Sequence, residues 1–200
     1  MLKIISLTCA LILLLVGHVL AISSINIEVI KEAQDYGKIN AQHHLNDFLL
    51  PWISYEEKSE NLNETAEHAY LYTSFLLMAT DAREKSLKGQ SVSVLDSERV
   101  LADYTDLLSF SIVLLGDQQD FAQNASVILK QDNKNIKAYQ VNIPPNAEKI
   151  VTNTGQTLFK AQCYFYFLEK DIELDAPVTL SINTSDNKEH FFYFDLAKMK

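Results

Sequence analysis

The chain is poor in cysteine, glycine and arginine, with two Cys, five Gly and two Arg in 200 residues. Each scarcity excludes something. Cys9 falls in an apolar N-terminal stretch, which leaves Cys163 alone beyond it, so no internal disulfide framework can form and the core must hold by packing. Gly17, Gly37, Gly89, Gly116 and Gly155 are too scattered to build a phosphate-cradling loop. Gly-x-Ser-x-Gly, His-Glu-x-x-His and Cys-x-x-Cys are all missing. No catalytic residue, no metal-ligand set and no cofactor is therefore expected. Cations are also scarce: 17 Lys+Arg stand against 26 Asp+Glu, a formal net charge of −9. That balance argues against nucleic acid and anionic lipid as partners, because binding either starts with Lys and Arg displacing counterions.

What is present begins with an export signal. Lys3 forms a short cationic segment, residues 4–16 an apolar run, and Val19-Leu20-Ala21 a site of the kind signal peptidases cleave. The competing reading is an uncleaved anchor, since the apolar stretch can be drawn to Ile22, about the ~20 residues that cross a bilayer. Gly17 and His18 favour cleavage, because a helix held in hydrocarbon seldom ends on an unpartnered ring nitrogen. A lipid-modified Cys would follow the apolar run, whereas Cys9 lies inside it. Both readings place the rest of the chain outside the cytoplasm; membrane association follows only if the signal stays uncleaved.

Beyond the signal, periodicity changes near Asp106. Before it, apolar residues recur at helical spacing, and after it they alternate. Val29, Ile30, Ala33, Tyr36, Ala41, Leu45, Phe48 and Leu49 predict a helix over about residues 25–50, weakened at Gly37 and stopped by Pro51. Residues 52–55 read as an extended piece and 56–67 as a polar loop. A second helix is expected from Thr73 or Ser74 to Leu87 with Thr73 as N-cap, and a third from Ser93 to about Tyr104 with an Asp96 capping partner. Six strands follow, at 107–115, 125–131, 136–143, 157–168, 178–183 and 190–196. Asp132-Asn-Lys-Asn135 and Ser185-Asp-Asn-Lys188 serve as turns.

The expected fold is α+β: an N-terminal helical layer (22–106) packed on a C-terminal antiparallel β-sandwich (107–200), immunoglobulin-like in layout, the two forming one packed unit after the signal at 1–21. Phe110, Ile112, Phe165, Phe167, Phe192 and Phe194 are the expected core.

Two aromatic runs stand out, Tyr164-Phe-Tyr-Phe167 and Phe191-Phe-Tyr-Phe194. Alternation puts Phe165 and Phe167 on one face with Tyr164 and Tyr166 on the other, and leaves Tyr193 opposed to Phe192 and Phe194. Helices covering the second face are the plain expectation. An exposed row of Tyr164, Tyr166 and Tyr193 is the candidate binding site, since contiguous exposed aromatic area is rare without a purpose. Cys163 reads as a buried small hydrophobe. His43 and His44 cannot share a metal on one helix, and a hydrolase would need two of His43, His68 and His190 to converge with acids in one cleft.

The functional expectation is a non-catalytic extracytoplasmic binding protein with a protein or cell-envelope partner. Carbohydrate binding through the tyrosines is the alternative and a secreted hydrolase the next. Intact mass or N-terminal sequencing of protein exported by its own cells should give a chain beginning at Ile22; a membrane-held species retaining residues 1–21 would establish the anchor.

Overall fold

A computed structural model describes residues 25–59, 62 and 65–200. The signal sequence expected over 1–21 lies outside the described residues, as does part of the loop expected over 56–67. Among the described residues are four α-helices and two antiparallel sheets, of six and four strands. The α+β class is as the sequence predicts.

Helix α1 spans Ile27–Ile39, opened by Asn26, whose side chain accepts from the Glu28 and Val29 amides at 2.9 Å. The helix expected to run on to residue 50 stops here. Both the backbone N–H and the side-chain amide of Asn40 donate to the Tyr36 carbonyl, which terminates the ladder. Helix α2 (Leu45–Leu49) and a 3-10 turn over Leu50–Trp52 carry the chain into strand β1 (Ile53–Tyr55). Gly37 is not a weak point but a crossing point. A Cβ there would lie 2.2 Å from the Ala79 carbonyl oxygen on α3 (Ser74–Leu87), so only glycine lets the two helices approach this closely. Helix α3 begins at Thr73, which accepts from the Leu76 amide at 3.2 Å, and α4 (Val94–Asp103) opens with the reciprocal Ser93/Asp96 capping box. Buried Gln34 joins α1 to α4, donating to the Ser93 carbonyl at 2.9 Å and the Ser97 hydroxyl at 2.8 Å.

Strand β1 (Ile53–Tyr55) and β2 (His68–Tyr72) pair with each other, and β2 pairs with β3 (Leu107–Gly116). The expected division at residue 106 into helical and sandwich regions therefore does not hold, because two strands of the larger sheet come from before it. β1 falls within the extended piece expected over 52–55, while β2 was illegible because Tyr70 and Tyr72 occupy the outward positions where alternation calls for polar residues. β3 pairs with β8 (Thr157–Leu168), whose other edge is shared by β6 (Gln140–Asn142) and β7 (Glu148–Val151). The smaller sheet runs β10 (Glu189–Asp195), β9 (Pro177–Asn183), β4 (Ser126–Gln131), β5 (Lys134–Lys137). The strand expected over 136–143 is two: β5 and β6 belong to different sheets. Ile136 faces the core in β5, and from Tyr139, whose N–H donates to the Tyr166 carbonyl at 2.8 Å, the chain follows the larger sheet. The expected six strands are thus ten, the additions being short, exposed or tyrosine-bearing.

Inward residues alternate as expected. Leu108, Phe110, Ile112 and Leu114 on β3 and Ala161, Cys163, Phe165 and Phe167 on β8 meet Val178, Leu180 and Ile182 on β9 and Phe192 and Phe194 on β10. The Phe110 ring sits 5.7 Å from Phe167 in its own sheet and 5.3 Å from Phe194 in the other. A second core, with Phe48, Trp52, Phe75, Leu76 and Tyr70, fills the space between the helices and the outer face of β2. Main-chain oxygen of Lys200 fastens this layer, accepting from Trp52 Nε1 at 3.0 Å and Thr73 Oγ1 at 2.5 Å.

Two substitutions test this account by chemical denaturation. Phe165→Ala should cost about 3–5 kcal/mol through cavity formation. Gly37→Ala, which in an open helix gains up to about 1 kcal/mol, should here lose about 1–3 kcal/mol because the methyl group meets α3.

Candidate functional site

The register of the larger sheet builds a trough on its outer face. Tyr72 on β2 pairs with Ser109 on β3, which pairs with Tyr166 on β8, which pairs with Gln140 on β6. One step along, Tyr70, Ser111, Tyr164 and Asn142 form a parallel row. Serines on the middle strand are small and the tyrosines on either side are large, so the sheet surface is low along β3 and high along its neighbours. Helices α3 and α4 roof one part of this trough. The space left is a cleft of about 340 Å³ whose walls include Tyr72, Tyr104, Ser109, Tyr164 and Tyr166, with Thr80, Asp81 and Glu84 on the helical side. That volume is in the range of small-ligand pockets, roughly 300–1,000 Å³.

Its polar groups are unspent. Ser109 and Thr80 hydroxyls are buried with no hydrogen-bond partner. The phenol hydroxyls of Tyr72, Tyr104, Tyr164 and Tyr166 make no protein hydrogen bond among the described residues either, but they are not enclosed as those two are. A buried polar group left unpaired costs roughly 1–3 kcal/mol, and a hydroxyl can rotate toward an incoming group. The cleft therefore holds hydrogen-bonding capacity that the protein itself leaves unused.

Its phenols are held neutral and its rim charges are paired. Burial, then the neighbouring Tyr164, Tyr70, Tyr104 and Glu84, push the Tyr72 phenol up to about 12. Burial, Tyr104 and Tyr164 also raise Tyr166. Lys85 offers no free cation nearby, since its ammonium is 2.8 Å from Asp81 and 3.3 Å from Asp96. Glu84 is likewise paired, 3.6 Å from the Lys88 ammonium, so neutral phenols and ion-paired carboxylates offer an anionic ligand no uncommitted cation among the described residues.

Of the three tyrosines expected to form one row, Tyr164 and Tyr166 lie together in this cleft, Tyr164 being 44% exposed. Tyr193 does not join them. It is on β10, paired with Thr179 in the smaller sheet, so it points outward from the opposite side of the sandwich. The two aromatic runs look alike in sequence, but they belong to different sheets, and outward means opposite directions for each. On that far side Phe191 is covered by Lys58 and Lys130, whose ammonium groups lie 5.3 and 5.0 Å from its ring. Tyr72, Tyr104, Ser109 and Thr80 were missed. The available signal was the alternation of Ser109 and Ser111 with Leu108, Phe110 and Ile112, small polar residues in an otherwise apolar strand.

A second polar cluster lies where β10 meets the start of β2. His190 is buried, with Nδ1 2.6 Å from Glu67 Oε2 and Nε2 3.1 Å from Thr184 Oγ1; the Thr184 hydroxyl donates to Asp186 at 2.5 Å. Burial raises the Asp186 carboxyl, but the bonds from Thr184 and Lys188 outweigh it and hold the group below its usual range. Carboxylate, imidazole and hydroxyl follow one another as in a hydrolytic triad. However, Thr184 is 5% exposed and its hydroxyl is already committed. The cluster acts as a tie between the two sheets. His43 and His68 are not in it: the His43 carbonyl accepts from Arg83, and His68 Nδ1 meets the Ala66 carbonyl.

Cys163 is buried in the sandwich and its thiol is pushed up to about 12 by burial, which keeps it protonated and unreactive. Among the described residues no group of three or more His, Cys, Asp or Glu is placed to hold a metal ion, and no helix is long and apolar enough to cross a membrane.

No family model and no curated protein matches the chain. Among solved structures it is similar to IgNAR antibody domain C1, at 8% identity over 52% of this chain and 84% of that one, with a TM-score of 0.30.

The Tyr72 environment yields a pH prediction. A phenol ionising near 12 in the folded state and near 10 in the unfolded chain leaves the folded state holding the extra proton between those values. Stability should therefore fall as pH rises from about 10 to about 12, by roughly 2–3 kcal/mol at most. Denaturation at stepped pH should show this slope flattened in Tyr72→Phe relative to the parent protein.

Proposed function

We propose that this is a non-catalytic extracytoplasmic binding protein whose cleft accepts a neutral, hydroxyl-bearing ring, as in a pyranose unit of a cell-envelope carbohydrate. The observation that carries the reading is the coincidence, in one cleft, of four tyrosines with six side-chain hydroxyls that lack protein partners. Aromatic faces take up the apolar face of a sugar ring, while hydroxyls and the Glu84 and Asp81 carboxylates exchange hydrogen bonds with its rim. A purely apolar ligand would leave those hydroxyls unpaired. An anionic one would meet carboxylates and no free cation. The expected envelope partner thus takes its chemistry from the cleft: carbohydrate rather than protein. Tyr193 plays no part in this site.

The test is protein-observed NMR and calorimetry against neutral mono- and oligosaccharides. Saturable binding is expected, with shifts confined to α3, α4 and the outer face of β2, β3 and β8. Tyr164→Ala should weaken it about tenfold, near 1.4 kcal/mol, while Tyr193→Ala leaves it unchanged. Absence of binding to any neutral sugar, or equal effects of the two substitutions, would sink the reading.

A further inference from the structure

A second pocket of about 540 Å³ opens where the chain leaving β1 crosses to the smaller sheet, its walls including the carboxylates Glu56, Glu67 and Glu189, the imidazole of His190 and two lysines, Lys58 and Lys188. Glu56 is held there by its backbone, bridging to Phe192 and donating its N–H to the Glu67 carbonyl at 3.0 Å. Its carboxylate is half satisfied. Oε2 accepts from the Lys58 amide at 2.7 Å, while Oε1 is buried without a partner, in a residue only 8% exposed. Leaving a carboxylate oxygen dry and unpaired is among the costlier arrangements in a protein interior.

The cations nearby do not answer it. Lys58 directs its ammonium to the Glu189 carbonyl at 3.3 Å and over the Phe191 ring, and Lys188 directs its own to Asp186 at 3.2 Å and Asp117 at 3.5 Å. His190 is engaged on both nitrogens. Glu67 accepts one bond on each oxygen, from the Leu115 amide at 2.7 Å and from His190.

From this we infer that the pocket binds a primary ammonium group, such as that of an alkylamine or a lysine side chain, with Glu56 as its counter-ion. Three radiating N–H donors suit one unpaired carboxylate oxygen together with lone pairs left over on Glu67. A guanidinium pairs best with two oxygens of one carboxylate side by side, and Glu56 Oε2 is already taken. A metal caged by protein side chains is not favoured, since no group of three or more His, Cys, Asp or Glu among the described residues is placed to hold one. The inference is independent of the tyrosine cleft, with which this pocket shares no lining residue.

The experiment is NMR titration of the purified protein with n-butylammonium and with 1,5-diaminopentane. Saturable shifts are expected at His190, Glu67 and Leu115, with Glu56→Gln weakening binding tenfold or more and Tyr164→Ala leaving it unaltered. The Gln amide oxygen can still accept from the Lys58 amide, and a thermal melt checks that the variant folds. Should it not fold, intermolecular NOEs in the unsubstituted protein decide, from the ligand methylenes to the His190 ring and Leu115 methyls: their presence supports the site and their absence overturns it. No saturable binding, undiminished binding by Glu56→Gln, tighter binding of butylguanidinium, or tighter binding of calcium or zinc abolished by Glu56→Gln would each overturn it.

Discussion

The ladder between β3 and β8 is the constraint on which the rest of the molecule depends. Ten residue pairs, from Leu107 with Leu168 to Gly116 with Phe159, lock two strands in one register, and that register assigns every side chain to a face. Leu108, Phe110, Ile112 and Leu114 with Phe165 and Phe167 go inward to the sandwich core, while Ser109, Ser111, Tyr164 and Tyr166 go outward to form the trough. A slip of one residue would exchange the two sets, so the cost of misplacing the core also protects the geometry of the cleft. Core and site are the two sides of one hydrogen-bonded ladder.

The helical layer turns that surface into an enclosed site. Tyr70 and Tyr72 point from β2 in the same direction, yet Tyr70 is buried beneath α1 and α3 whereas Tyr72 lines the cleft. The close α1–α3 crossing at Gly37 and the Gln34 bonds to α4 fix where the roof ends. Hydrophobic packing of the roof gives the layer its stability, while its polar edge, with Thr80, Asp81 and Glu84, faces the opening.

The two sheets are also fastened at their edge, by different chemistry. Glu67 and His190 come from opposite sheets and meet out of water, where removing either partner strands the other. The Glu56 bridge to Phe192 crosses the same boundary one residue past β1. Two carboxylates are thereby brought to one pocket by backbone connections remote from it in sequence.

Sequence alone determined the alternation of β3, β8, β9 and β10, the caps of α3 and α4, the turns at Asp132 and Ser185, and the burial of Cys163. These are local properties, legible because periodicity and capping act over a few residues. It also singled out Tyr164 and Tyr166 as outward aromatics. Which tyrosines share a surface was decided only by sheet membership: Tyr193 resembles Tyr166 in its run, but β10 and β8 lie in opposite sheets. Tyr72 and Ser109 entered the site through strand pairing, and Glu67 met His190 across 123 residues of chain. No local pattern encodes those contacts, because they follow from how two ladders stack and where the helices come to rest on one of them.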